Sequence, residues 1–423
     1  MSKTIKTVLS AFGVLMIWGL YLVISGCSML LLDDEFPDFA FEKTDKELLV
    51  VEDALYPSLE SSIDQYIADL NEEGSTVYLY IWEEGTAFDL KAVIETYYTE
   101  NGIGGVLFVG NLPTVWYEQN GFEGHEEFPI DLFFMDLDST WQDNDKDGIF
   151  DYHSALELEI FISRINGTTL ELMRYFDKVH KFRTGQMDID PSAYVFKDNS
   201  WEDFKPGSDF GLSRIYNSIL INEKKGDTEK ANYISKLTTS GAEYVYQWIH
   251  SFPPLLVVEG SSSWEYIHTS DIISGNMKGL FYNLFNCSAV RFTEDNLGMT
   301  YLMKTDYGIA ATGSTKTGGN YYPNAFHYVL SEKGTWGDAF KGWYNYYGVK
   351  DDKWFLGMII LGDPMLVLTK EAQKGLKSLS VGIVPPSPDE IEELNKEILD
   401  FGYDYSGGSF AEYKNQNPQF FGD

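Results

Sequence analysis

The sequence predicts an α/β chain of the doubly wound class, with mainly parallel sheets in two subdomains. Three observations predict it. Short apolar runs alternate with segments of helical spacing, the order that builds a parallel sheet covered by helices. The run Leu280 to Phe285 is apolar and aromatic with Asn283 as its one polar break, as a strand buried on both faces requires. That run leads straight into Cys287, and parallel sheets bind ligands beyond the carboxyl ends of their strands.

The first subdomain spans 48–190. Leu48 to Val51 reads as a strand. Tyr56 to Leu70 reads as a helix, with Leu59, Ile63, Tyr66, Ile67 and Leu70 on one face and Gly74 as its stop. Val77 to Trp82 is a strand, Phe88 to Tyr98 a helix and Gly105 to Gly110 a strand. Pro129 to Phe134 and Glu157 to Ile162 are two more strand-like runs, and Leu170 to Arg183 is the closing helix. The second subdomain spans 191–370. Ala193 to Phe196 opens it, and Leu212 to Leu237 reads as helical with a loop at Glu223 to Asp227. Tyr244 to Ile249 and Pro254 to Val258 are strands, the latter ending at Glu259-Gly260. After the Cys287 strand come a strand at Gly308 to Gly313, helices at Ala325 to Leu330 and Trp336 to Tyr347, and a strand at Met358 to Leu361. Residues 371–423 read as an acidic, largely disordered tail with one short acidic helix at Asp389 to Leu399.

The amino terminus is a targeting segment. Lys3 and Lys6 precede an apolar run from Val8 to Ile24, and Ser25-Gly26 precede Cys27. Small residues before a cysteine mark a cleavage site. The stretch resembles the bacterial lipoprotein box, which implies that Cys27 is lipidated and that 1–27 is the signal region. An uncleaved membrane anchor is the alternative. Residues 28–47 are a tether. Both readings put the folded part outside the cytoplasm, in the cell envelope facing the periplasm or the surface. The chain has two cysteines, so a lipidated Cys27 leaves Cys287 as the one free thiol. A lone thiol in an oxidising compartment is buried or used. With 65 acidic against 31 basic residues the net charge is -34, which repels nucleic acid and anionic lipid headgroups.

Asp143, Asp145 and Asp147 alternate ahead of Gly148, with Asp151 in the ninth loop position. Such spacing gathers carboxylates round one point and suits calcium or another hard cation, with the Ile149 carbonyl in the seventh position. The twelfth position is Ser154, so the usual bidentate Glu is missing and Glu157 stands as its substitute. A solvated acidic turn is the alternative.

The order of motifs over 48–368 resembles the gingipain family of cysteine peptidases, within the caspase-like clan. The first half carries the likeness in Gly105 to Pro113, the acidic stretch Asp136 to Asp151 and Glu159 to Ile165. The second half carries it in Val258 to Ser261, Asn286-Cys287-Ser288, Ala310 to Ser314, Thr335 to Ala339 and Leu361 to Pro364. The resemblance implies two caspase-like subdomains with the active site in the second. It implies Cys287 as nucleophile and the amides of Gly260 and Cys287 as oxyanion donors. It also implies a histidine at the end of the neighbouring strand, and that position holds Glu259. A carboxylate beside a thiol raises the thiol pKa, so the expectation is a suppressed thiolate. His268, nine residues on, is the possible substitute base, and His250 is a further imidazole within reach. Two functions stay open: a cysteine endopeptidase acting on proteins or peptides, and an inactive pseudopeptidase that serves as a binding protein. A general calcium-binding surface protein is a third.

Cys27→Ala should yield unprocessed or released protein. Partition of that variant into detergent with unchanged migration would count against lipidation.

Overall fold

The computed structural model describes residues 41–121, 124–188, 190–201, 209–320, 322–369 and 409–421. Cys27, the tether up to residue 40 and the expected helix at 389–399 lie outside them. Among the described residues no helix is long and apolar enough to cross a membrane.

The strands of the first half are β1 (Lys46–Glu52), β2 (Thr76–Trp82), β3 (Gly105–Val109), β4 (Val115–Asn120), β5 (His125–Ile130), β6 (Trp141–Gln142), β7 (Tyr152–His153) and β8 (Phe161–Ile165). The second half supplies β9 (Ala193–Lys197), β10 (Ile219–Asn222), β11 (Ala242–Trp248), β12 (His250–Phe252), β13 (Leu255–Glu259), β14 (Trp264–His268), β15 (Gly279–Phe285), β16 (Ala310–Ser314) and β17 (Met358–Gly362). Ten of these form one sheet in the order β10-β9-β11-β15-β16-β17-β8-β3-β1-β2. The two expected series therefore join edge to edge. Every neighbouring pair is parallel except β16–β17. Because β17 turns against β16 and runs with β8, the strands of the two halves point in opposite directions. Their carboxyl ends open at opposite edges of the sheet.

The central strands are largely apolar because helices cover both faces. β3, β8, β11, β15 and β17 are buried at every residue. Helices start where the sequence provides caps. Thr86 with Asp89, Thr168 with Glu171 and Thr335 with Asp338 each form a reciprocal capping box.

Four expectations need correction. Pro129 to Phe134 is not one strand: β5 ends at Ile130, and Leu132–Met135 is a helical turn. Asp131 is drawn inward between them to pair with Arg164 Nε at 2.8 Å. The run at Glu157 begins as a loop, and the strand starts only at Phe161. The region Leu212 to Leu237 holds a short 3₁₀ turn, the edge strand β10 and one helix, Lys230–Thr239. The tail is not wholly irregular, since Phe410–Gln416 is a helix docked on the first half. Phe410 packs on Trp116, and Tyr413 donates to Thr114 Oγ1 at 2.9 Å.

A buried polar chain ties the seam between the halves. Arg183 Nη2 donates to Asp363 Oδ2 at 2.6 Å. The Tyr66 hydroxyl lies 3.0 Å from Asp363 Oδ1 and 2.9 Å from Glu47 Oε2. A hydroxyl has one proton to donate, so one carboxyl must supply its own. Burial, then the charge of Asp363, pushes the Glu47 carboxyl well up, which assigns the proton to Glu47. Removing one partner from such a set strands a buried charge and costs about 3–5 kcal/mol. Arg183→Met should lose roughly that amount in urea denaturation. A loss under about 1 kcal/mol would show that the seam does not depend on the ion pair.

Candidate functional site

The site forms where β11 and β15 end side by side. Their parallel register runs from Ala242↔Gly279 to Trp248↔Phe285. It is extended by three further bonds. Ile249 N–H donates to Phe285 O at 3.3 Å, Asn286 Nδ2 to Ile249 O at 2.7 Å and Ser251 Oγ to Cys287 O at 2.6 Å. His250 lies two residues past Trp248, and Cys287 two past Phe285. The register thus sets His250 and Cys287 level on neighbouring strands, which lie about 4.8 Å apart. Through the Trp201 stack the His250 ring joins the face of Trp248 and Phe285, while Cys287 opens the turn that follows β15.

That face has an aromatic floor. Trp201 stacks on the His250 ring at 4.7 Å and 22°, and lies 5.8 Å from Trp248 and 5.4 Å from Phe285. Trp264 stands edge-on to the imidazole at 6.4 Å. The loop carrying Trp201 is built on Asp198. This carboxylate accepts from Ser200 N–H at 3.2 Å and from Glu259 N–H at 2.9 Å, and Ser200 Oγ also donates to it. Burial pushes the Asp198 carboxyl up to about 7, against the pull of those donors. His250 is almost fully buried, whereas Cys287 is half-buried.

Past Cys287 the chain leaves the strand sharply. Ser288 takes a left-handed conformation with φ 55°, and its N–H donates to Lys316 O at 2.8 Å. Single strained residues of this kind cluster at functional sites. Lys316 is buried, and its Nζ reaches the carbonyls of Thr317 and Lys353 and Glu126 Oε2, the last at 3.4 Å. Burial lowers the pKa of this amine. The charges of Glu126 and of a Cys287 thiolate act the other way. The attraction is mutual, so Lys316 favours the thiolate.

Glu259 is elsewhere. β13 is not a neighbour of β15 in the main sheet. It lies in a separate antiparallel sheet, β12-β13-β14, because Pro253-Pro254 turn the chain back on itself after His250. His250 pairs with Val257 across that turn, and Glu259 Oε2 accepts from Asn199 Nδ2 at 3.0 Å. Glu259 therefore sits over the end of β9, with β11 between it and β15. The expectation of a carboxylate beside the thiol is corrected: the level neighbour is an imidazole. The Gly260 N–H is turned into the β13–β14 turn, toward Val258 O and Ser263 O at 3.1 Å each. His268 is exposed at the other end of β14, opposite Leu255, and its N–H donates to Asp271 Oδ2 at 2.9 Å. A cleft of about 550 Å³ opens beside the turn, lined by Lys225, Glu259, the serines 261–263, Trp264 and Tyr266.

In the acidic loop Asp143, Asp145 and Asp147 bring one oxygen each within 4.8 Å of one another. Asp143 accepts from Lys146 N–H at 2.6 Å and Gly148 N–H at 2.9 Å, and Gly148 takes the left-handed conformation the turn needs. Ile149 is the loop's apolar anchor, buried with Trp116 and Phe410. Glu157 does not join the group; its N–H is held by Asp136 Oδ2 at 2.9 Å. Glu118 of β4 meets Asp145 and Asp151 instead, a partner distant in sequence that loop spacing cannot reveal.

No family model matches the chain, and no curated protein matches it. Among solved structures it is similar to the complex of pro- and mature domains of the gingipain RgpB from Porphyromonas gingivalis, with a TM-score of 0.55. The match covers 76 % of this chain and 79 % of that one at 14 % identity. The fold is gingipain-like.

Mass spectrometry of the Cys287 peptide can follow its alkylation at pH 7. His250→Ala should slow it about tenfold, the equivalent of one pKa unit. Glu259→Gln should change it by less than about threefold, since Glu259 lies outside the sheet of Cys287 and its carboxylate bonds Asn199. A tenfold acceleration in Glu259→Gln would restore the suppressed-thiolate account.

Proposed function

We propose that this chain is a lipid-anchored cysteine peptidase of the bacterial cell envelope, cleaving proteins or peptides with Cys287 as nucleophile and His250 as general base and acid. One observation supports the reading: the β11–β15 register, continued past Trp248 and Phe285, brings His250 alongside Cys287, and Ser251 Oγ bonds the Cys287 carbonyl. In this mechanism the thiolate attacks the scissile carbonyl to form a tetrahedral oxyanion. Protonated His250 then gives its proton to the leaving amine as the C–N bond breaks. Neutral His250 next takes a proton from water, which attacks the thioester and releases the acid and the thiol. Lys316 supports the thiolate form in the resting site. Trp201 fixes the imidazole plane by stacking on it. The gingipain-like fold supports the reading at the level of architecture.

We also propose that the acidic loop binds calcium. Asp143, Asp145, Asp147, Asp151 and Glu118 would hold it, all with oxygen donors suited to a hard cation. Its part would be structural, bracing the loop that carries Ile149.

Binding without cleavage is the second reading, and the burial of His250 favours it. An unstructured protein substrate separates the two. Cleavage should fall at least about a hundredfold in Cys287→Ala and in His250→Ala, the scale of a lost nucleophile or base. Glu259→Gln should keep most of it. Tight substrate binding with no cleavage by the parent protein would establish the pseudopeptidase. Calcium in excess should raise the melting temperature above that in chelator; equal values would remove the ion from the account.

A further inference from the structure

A second cluster of donors lies on the β4–β5 hairpin, whose Glu126 also reaches Lys316 of the thiol site. The hairpin register places Glu118 directly opposite Glu127 and Asn120 opposite His125. Like charges directly opposed across two strands are destabilising. His125 is two residues from Glu127, so the three side chains share one face. His125 Nε2 lies 3.3 Å from Glu118 Oε2 and 3.6 Å from Glu127 Oε1, and the three donor atoms all fall within 4.8 Å of one another. Ligand atoms on a tetrahedral cation at about 2.0–2.1 Å stand roughly 3.3–3.4 Å apart. The spacing on the hairpin is close to that.

The carboxylates are also held in place from behind. Glu127 Oε2 accepts from Phe410 N–H at 3.2 Å, which leaves Oε1 for the shared point. Arg291 Nη2 donates to Glu127 O at 2.8 Å, and Glu118 N–H donates to Phe150 O at 2.8 Å. Outer-shell bonds of this kind orient metal ligands.

We propose that Glu118, His125 and Glu127 form a site for a borderline divalent transition metal, zinc being the type, with water in the fourth position. An imidazole with two carboxylates suits such an ion, whereas the all-oxygen loop nearby suits a hard one. The metal would neutralise the opposed glutamates and cross-link the two strands. Through Glu127 it would also brace the docked segment that begins at Phe410. Glu118 faces the loop carboxylates Asp145 and Asp151 as well, so the two ions would share one side chain.

The test is a zinc titration of the full-length chain carrying Cys287→Ala, which removes zinc capture by the thiol and His250. One zinc should bind. His125→Ala and Glu127→Gln should each weaken it about tenfold or more, while Asp143→Asn leaves it within about threefold. The His125 ring is half-exposed, so its loss should not unfold the chain, and the melting temperature without metal checks this. Cobalt in place of zinc should give tetrahedral absorption with no thiolate band. No zinc binding by the parent, zinc affinity unchanged in His125→Ala, or a thiolate band that accounts for the bound cobalt would each overturn the proposal.

Discussion

The candidate site depends on one constraint, the parallel register of β11 against β15. A thiol and an imidazole cooperate only if their strands end level, and a slip of one residue would send one of them to the opposite face of the sheet. The register is therefore fixed where it matters. Tyr244, Tyr246 and Trp248 on one strand and Phe281, Asn283 and Phe285 on the other are buried along the shared face. Beyond the last paired residues, Asn286 and Ser251 supply side-chain bonds that replace the missing ladder. The polar atoms stitching Ile249 to Asn286 and Ser251 to Cys287 do the work of two more rungs.

The two halves use corresponding edges differently. The carboxyl ends of the second half meet the chemistry: a thiol, an imidazole, a buried amine and a buried carboxyl lie within a few strand ends. The carboxyl ends of the first half meet the chain's own tail. Asn111, just past β3, donates to Asn417 Oδ1 at 3.0 Å, and Thr114 accepts from Tyr413. Among the described residues one edge lies beside a cleft, and the other is covered by the tail.

Much of the fold was legible because buried strands announce themselves. Leu48 to Val51 and Gly105 to Val109 are apolar without interruption and Leu280 to Phe285 with Asn283 as its one break, and few other local structures tolerate that. The misplaced strand is instructive. Leu255 to Val258 looks like the others, since apolar content does not say which sheet a strand joins. The informative signal was Pro253-Pro254, which forces a reversal and excludes a parallel crossover between β12 and β13. The same rule that picked out Cys287, an apolar run entering a reactive side chain, also describes Tyr244 to Ile249 entering His250. Tertiary contacts were not legible at all. Nothing local places Glu118 beside Asp145, Lys316 near Cys287 or Phe410 on Ile149.

The position of β17 bears on the order in which the molecule can be made. It lies in the middle of the sheet yet comes last of its strands in the chain, with β16 on one side and β8, some two hundred residues earlier, on the other. During synthesis β8 and β16 are both raw edges until Met358 to Gly362 arrives, and open edges invite wrong pairing. The first half can collapse but cannot close, and the β16 side of the Cys287 strand is unsupported until the same moment. Assembly of the thiol site is thereby tied to near-completion of the polypeptide, so a truncated chain carries Cys287 without the scaffold that would make it reactive.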